Sequence, residues 1–430
     1  MIGRGQLLVI GLGIIALILF GFLSSCGLAR GSQVTTPVDP MTGDFDDGIK
    51  TPKLTAAQLP ILESTSTPLT IISTGTPTII PTAWAYQDGH ILPKPLYYLS
   101  NLSGNQQVWR IEVDGYTMTQ ISQFDEPVFS YDVCPVTNLL AMLSGDYLWI
   151  TDMDGSEQRR ISVKAQFTSQ KVVAHNAFIN CSPDGKILAI GGWDGLWLYH
   201  LDQSNWQQII PRSRENSVIW VDPRWTWSPD QTGLLLKILH AEAEARVAYY
   251  DIVHREWIVP QDLTVGYRFS WSEEGDYVYA SANYTNSDWI RAPGLLRWEI
   301  DGNQTVALIG HKILRINSLV DYVAGAQSSP DGSLYYFYGG AVYTGTLYSD
   351  STAMTQMYQT DLNGQGEPRP LRQDRYSNLD EVLWSPDMRL AIAKQCEDIT
   401  CNTGRLLLLT NDNKPALELV TDGGGMKWGN

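Results

Sequence analysis

From Leu96 to the carboxyl terminus, short apolar stretches alternate with tight polar turns in a repeating order. Each unit reads as strand A, a Ser-Pro-Asp type turn, strand B, a connection, strand C, a hairpin turn and strand D. The third unit has it in full: apolar runs over Ala177–Cys181, Lys186–Gly191, Leu196–Leu201 and Trp206–Ile210. Such short runs, bounded by turn residues, are the pattern of strands rather than helices. The A–B turn recurs as Cys134-Pro135, Cys181-Ser182-Pro183-Asp184-Gly185, Trp227-Ser228-Pro229-Asp230, Trp271-Ser272-Glu273-Glu274-Gly275, Ser328-Ser329-Pro330-Asp331-Gly332, Trp384-Ser385-Pro386-Asp387 and a clipped Trp428-Gly429-Asn430. The C–D hairpin recurs as Asp114-Gly115, Asp154-Gly155, Asp301-Gly302 and Asn363-Gly364. These pairs suit a two-residue turn with positive φ.

The first residues of the seven A–B turns are spaced 47, 46, 44, 57, 56 and 44 apart. A period near 45 residues with several short strands per unit predicts an all-β fold, a β-propeller. The count gives seven four-stranded blades, with six as the alternative. The first unit, Leu96 to Ser122, lacks strand A, and Gly423–Trp428 is a strand A with nothing after it. Pairing the two ends would complete one blade and remove exposed edges. The propeller is expected over 86–430.

The amino terminus has a different pattern. Arg4 precedes an apolar run from Leu7 to Leu23 that ends at Leu23-Ser24-Ser25-Cys26. A basic start, an apolar core and small residues before a cut site describe a secretory signal. The last four residues resemble a bacterial lipobox, which implies cleavage before Cys26 and lipidation of its thiol. An uncleaved membrane anchor is the alternative, since the run is about long enough to cross a bilayer. Either reading places the remaining chain in the cell envelope, outside the cytoplasm. Residues 27–85 carry Thr-Pro pairs at Thr36-Pro37, Thr51-Pro52, Thr67-Pro68 and Thr76-Pro77. Such a stretch reads as an extended tether. Ile71-Ile72 and Ile79-Ile80 are its apolar points.

Fifteen Trp, 21 Tyr and 37 Gly suit a strand- and turn-rich chain. The net charge is −16, nearly all of it in the repeats. That disfavours nucleic acid as a partner and leaves sugars, peptides, proteins and cations. Trp-Ser-Pro-Asp before strand B and the Asp-x-Asp-Gly end of strand C resemble the TolB-type propeller family over about 96–430. The resemblance implies the fold. Its members include periplasmic scaffolds and the amino-terminal propellers of prolyl peptidases, so it implies no one activity. Cys134-Pro135-Val136-Thr137 departs from the turn pattern.

Candidate chemistry is sparse. No Gly-x-Ser-x-Gly elbow is present for a serine hydrolase. The six His (90, 175, 200, 240, 254, 311) fall in different units without ligand spacing, so no metal or other cofactor is expected. Asp152-x-Asp154-Gly155 opens like a calcium loop but lacks its distal Glu, and reads as a hairpin turn. Cys396 and Cys401 are expected to form a local disulfide in an exported chain. Cys134 and Cys181 occupy equivalent positions in adjacent units and are expected to face different gaps as buried free thiols. Trp227, Trp271, Trp384 and Trp428 are expected in the core.

The two long spacings come from extra residues in the B–C connections of units 5 and 6, Ala282–Pro293 and Gly339–Thr355. With the Cys396–Cys401 loop of unit 7, they fall on one face of a propeller. Loops on a rigid scaffold are where binding concentrates. The candidate binding residues are Tyr284, Trp289, Arg291, Tyr343 and Tyr348, types that dominate interface hot spots. No catalytic residue is identified. The expected function is a membrane-tethered binding module for a protein or glycan. The alternatives are an enzyme acting on a carbohydrate or peptide, and a structural scaffold of an envelope complex.

Overall fold

The structure is a computed structural model that describes residues 70–71, 89–163, 177–192, 195–211, 218–220, 227–239, 246–260, 267–282, 294–309, 319–342, 352–363, 366–397 and 403–430. Among them there is no helix, and every strand pairing is antiparallel. Repeat 1 supplies β2 (Leu96–Ser100), β3 (Gln107–Ile111) and β4 (Met118–Gln120), with β1 (Thr70–Ile71) beside β4. Repeat 2 forms β5 (Val128–Cys134), β6 (Leu139–Ser144), β7 (Tyr147–Asp152) and β8 (Arg159–Ser162). Repeat 3 forms β9 (Phe178–Cys181), β10 (Ile187–Gly192), β11 (Gly195–His200) and β12 (Asn205–Pro211). Repeat 4 forms β13 (Val218–Trp220), β14 (Gly233–Leu239), β15 (Arg246–Asp251) and β16 (Glu256–Ile258). Repeat 5 forms β17 (Tyr267–Trp271), β18 (Tyr277–Ala282), β19 (Leu295–Glu299) and β20 (Gln304–Ile309). Repeat 6 forms β21 (Leu319–Ser328), β22 (Ser333–Val342), β23 (Thr352–Asp361) and β24 (Arg369–Pro370), with β25 (Tyr376–Ser377) also on β23. Repeat 7 forms β26 (Leu379–Trp384), β27 (Leu390–Gln395), β28 (Gly404–Thr410) and the start of β29 (Leu417–Trp428).

Repeats 2 to 5 are separate four-stranded sheets in A-B-C-D order. β29 joins repeats 7 and 1 into one eight-stranded sheet. Its first half pairs with β28 through Leu408↔Leu417 to Gly404↔Gly423. Its second half pairs with β2 through Leu99↔Gly424 to Leu96↔Trp428. Gly423 allows the crossover, because a Cβ there would sit 2.7 Å from Leu406 Cδ1.

The core lies between sheets rather than within one. Tyr97, Leu99 and Val108 of repeat 1 pack on Tyr131, Leu140 and Met142 of repeat 2. Equivalent clusters join repeats 2 and 3, 3 and 4, 4 and 5, 5 and 6, and 6 and 7. A further cluster sets Leu390, Ile392 and Leu408 against Leu96, Trp109 and Ile111. Alternate residues of each strand enter opposite gaps, so both faces of each sheet are apolar and the strands read as continuous apolar runs.

The Ser-Pro-Asp turn is a small hydrogen-bonded box. In repeat 3 the Ser182 hydroxyl donates to Asp184 at 2.7 Å and accepts from the Ile187 amide at 3.0 Å. Ser228 with Asp230 and Ser385 with Asp387 do the same. The residue two after proline closes the turn with positive φ: Gly185 at 72°, Gly332 at 80°, Gln231 at 64° and Met388 at 58°. The C–D hairpins differ from the expected two-residue turn. Glu112 N–H donates to Thr117 O at 2.9 Å, and Asp114 caps the amides of Tyr116 and Thr117. Only Gly115 of the Asp114-Gly115 pair has positive φ, 78°. The Asp side chain takes the amides that a tighter turn would pair with backbone. Asp154 likewise accepts from the Ser156 amide at 2.9 Å, which makes it a turn residue.

The cysteine expectation is overturned. Cys134 and Cys181 form a disulfide with Cα atoms 5.6 Å apart. The reason is a one-residue offset in repeat 2. Cys181 pairs with Leu188, whereas the residue pairing at the matching distance from the turn is Val133, opposite Leu140. Val133 therefore fills the slot that holds Trp elsewhere and enters the gap between repeats 1 and 2. Cys134 takes the place of the turn serine and points the other way, because a shift of one residue in a strand reverses its face. Both sulfurs meet in the gap between repeats 2 and 3.

Candidate functional site

Among the described strands, each A strand pairs on one side only, and residues at the A-strand ends and the turns that follow line a cavity of about 630 Å³. All seven sequence repeats contribute to its wall, from Met426 and Lys427 of repeat 1 to Asp380–Met388 of repeat 7. An unpaired inner edge must find other hydrogen-bond partners. Here side chains of adjacent repeats supply them. The Trp227 indole donates to Asn180 O at 3.3 Å, Trp384 to Gly325 O at 2.6 Å and Trp428 to Trp384 O at 2.7 Å. The Tyr131 hydroxyl donates to Gly425 O, and Tyr322 to Leu379 O. Glu381 accepts from the Gly425 and Met426 amides, both at 2.9 Å. The expected core role of these tryptophans thus has a polar half: the ring packs and the indole N–H ties neighbouring A strands.

Two buried aspartates bind charged residues of this wall, Arg268 and Lys427. Asp380 accepts from Arg268 at 2.8 Å and from Lys394 at 2.7 Å. Burial opposes its ionisation, but the two cations prevail and hold its pKa down at about 2. Asp132 contacts Lys427 at 2.7 Å and accepts from the Cys181 amide at 2.7 Å and the Asn180 side chain at 2.9 Å. Its burial outweighs these contacts and leaves its pKa raised. The pairs link repeats 5 to 7 and 1 to 2 to 3. A carboxylate held ionised between two cations is a poor proton carrier near neutral pH. Among the described residues, no group of His, Cys, Asp and Glu is placed to hold a metal ion.

None of these charged residues was singled out from sequence. The signal was present: Arg268, Asp380 and Lys427 are charged residues inside apolar A strands, immediately upstream of the turn. The residues that sequence did single out, Tyr284, Trp289, Arg291, Tyr343 and Tyr348, all lie outside the described residues, as do Cys26 and Cys401. Cys396 is described and is 3 % exposed.

The loops that carry them are bounded by described strands. The B–C connections run over 101–106, 145–146, 193–194, 240–245, 283–294, 343–351 and 396–403 in repeats 1 to 7. The long ones fall in repeats 5, 6 and 7. The repeat 6 insertion is shorter than the expected Gly339–Thr355. Its two ends are strand, continuing the β22–β23 ladder from Gly339↔Thr355 to Val342↔Thr352. Gly339 permits that approach, since a Cβ would overlap the Met354 carbonyl oxygen at 1.8 Å.

No family model matches the chain, and no curated protein does. Solved structures do. A puromycin hydrolase matches with a TM-score of 0.50 at 10% identity, over 80% of this chain and 55% of that one. An oligogalacturonate lyase in complex with manganese matches at 0.48 and 13% identity, over 76% and 85%. TolB from Acinetobacter baumannii matches at 0.40 and 13% identity, over 77% of this chain. The chain spans 64% of that TolB structure's length. At these identities the likeness concerns fold alone. The repeated antiparallel four-stranded sheets give the chain an all-β fold of the β-propeller type.

Proposed function

We propose that the chain is a membrane-tethered, extracytoplasmic propeller of seven blades that binds a protein or glycan and performs no chemistry of its own. The observation that carries the reading is the state of the cavity wall. Its buried carboxylates, Asp380 and Glu381, are engaged by cations or backbone amides, as a rigid scaffold requires. The pairing of β29 with both β28 and β2 supports a ring closed by the two ends of the chain. Binding then falls to the long B–C connections of blades 5, 6 and 7, and to Tyr284, Trp289, Arg291, Tyr343 and Tyr348 on them. Aromatic rings give flat apolar area at low entropic cost, and Arg adds directional donors. A Cys396–Cys401 staple would pre-organise the third loop.

The tether reading rests on Leu23-Ser24-Ser25-Cys26, with a lipid on Cys26 or an uncleaved apolar helix as anchor. The Cys134–Cys181 disulfide supports an oxidising compartment outside the cytoplasm. Two experiments test the proposal. A glycan array and a pull-down compare wild type with a folded Tyr284/Trp289/Tyr343/Tyr348→Ala variant; loss of the captured ligand supports the site, and unchanged capture removes it. Mass spectrometry of the mature amino terminus reads lipidation directly, and an intact Met1 end rules it out.

A further inference from the structure

Two A strands carry the same bulge. β29 pairs as Leu99↔Gly424 and then Tyr97↔Lys427, so Gly425 and Met426 together stand opposite Tyr98. β21 pairs as Ala324↔Phe337 and then Gln327↔Tyr335, so Gly325 and Ala326 together stand opposite Tyr336. The glycine of each bulge has a φ of 61°, a conformation that turns successive amides toward one point. On β29 that point is occupied. The Glu381 carboxylate takes the Gly425 amide on Oε2 and the Met426 amide on Oε1, each at 2.9 Å.

The A strand of repeat 5 meets β21 as that of repeat 7 meets β29. The Trp428 indole donates to Trp384 O across one junction, and the Ser328 hydroxyl donates to Trp271 O across the other. Glu381 lies three residues before Trp384, opposite Lys394. Arg268 lies three residues before Trp271, opposite Ser281 in the same register. The acceptor of one junction is thus replaced in the other by a guanidinium, which only donates. Arg268 itself bonds Asp380 at 2.8 Å. The carbonyls of Gly325 and Ala326 accept from Trp384 and Ser270, while among the described residues no side chain is bonded to their amides. Arg268, Gly325 and Ala326 all line the cavity of about 630 Å³.

We propose that the Gly325–Ala326 bulge, with Arg268, is a carboxylate-binding site whose occupant is a small acidic ligand in the cavity, a uronic acid or an N-acylated amino acid. One amide per oxygen matches a carboxylate, as Glu381 shows on β29, and the guanidinium adds charge of the right sign. Buried amides are costly to leave without an acceptor. A cavity of this size suits a small molecule. The site is separate from the loop residues proposed above, and its test touches none of them.

NMR of the full chain with isotope-labelled glycine tests it, using glucuronate, N-acetylalanine and, as the neutral control, glucose. Either acid should move the Gly325 amide resonance toward that of Gly425, and the tighter of the two names the source of the carboxylate. Arg268→Gln should weaken binding about tenfold, the loss of one charge-assisted contact. Arg268→Glu should set its own carboxylate on the amides, moving the Gly325 resonance without ligand and blocking both acids. No shift with either acid, an equal shift with glucose, or undiminished binding by Arg268→Glu overturns the proposal. Where Arg268→Glu does not fold, Arg268→Gln decides, and binding as tight as wild type overturns it.

Discussion

The junctions between repeats 2 and 3 and between repeats 6 and 7 do the same job with different chemistry. At the second, Trp384 fills the gap. It packs against Phe337 and Tyr335, with ring centroids 5.7 and 5.6 Å away, and donates to Gly325 O. At the first, the equivalent position is Cys181, far smaller than an indole. The lost packing is offset by a covalent bond to Cys134. One junction is held by buried area, the other by a cross-link that restricts the unfolded chain. Their charges differ in the same sense. Asp380 at the Trp384 side is over-supplied with cations, while Asp132 at the disulfide side has one lysine and neutral donors.

Replacing Trp384 with Ala should have the largest effect, about 3–5 kcal/mol, through the cavity left in that gap. A shift of the urea midpoint with unchanged slope would register it. A loss under 1 kcal/mol would mean that packing is not what holds this junction. Breaking the disulfide with Cys134→Ala and Cys181→Ala should cost about 2–4 kcal/mol, given its sequence separation of 47. Reductant should then lower the midpoint of Trp384→Ala as much as that of wild type, because the junctions do not share partners. A non-additive result would couple the two junctions.

The two aspartates should give opposite pH signatures. The folded pKa of Asp380, about 2, lies below the ~3.9 of an unfolded aspartate. Its contribution, about 2 kcal/mol, is therefore present above pH ~4 and lost as pH falls through about 2. For Asp132 the folded pKa is raised, so its stabilising effect is greatest below pH ~4 and declines as pH rises through the raised value. Denaturant midpoints between pH 2 and 7 for Asp380→Asn and Asp132→Asn separate the two. Asp380→Asn should remove part of the acid-side loss, and Asp132→Asn part of the decline toward neutral pH. Changes of the same sign in both variants would discard this account.

The smallest effect concerns the A–B turns. Gly185 and Gln231 occupy the same turn position with φ of 72° and 64°. Gln231→Gly should relieve left-handed strain and raise stability by about 0.5–1 kcal/mol. Gly185→Ala should lower it, because its Cβ would come within 2.9 Å of Thr137. A melting temperature unchanged in both would show that the turn does not resist the conformation.

The alternation of apolar runs and Ser-Pro-Asp turns determined the strands before any coordinates. In repeat 3 each predicted strand boundary lies within one residue of that in the structure. It did so because turn residues act locally: a serine hydroxyl and an aspartate two residues on can only close the chain upon itself. The pairing of Leu96 with Trp428 was legible for a related reason, since a unit lacking strand A and an unpaired strand A imply each other. Tertiary structure alone decided what strands do across gaps. Whether Cys134 meets Cys181 turned on a one-residue offset, and alternation reverses a face with each such step. The cations that surround Asp380 come from strands 112 residues apart and from its own sheet, a proximity that spacing cannot encode. The pairing of Thr70–Ile71 with Met118–Thr119 was left open for the same reason, Ile71 being marked in the sequence only as an apolar point of the tether: an exposed edge accepts any extended segment, and which one reaches it is settled by where the chain returns in space.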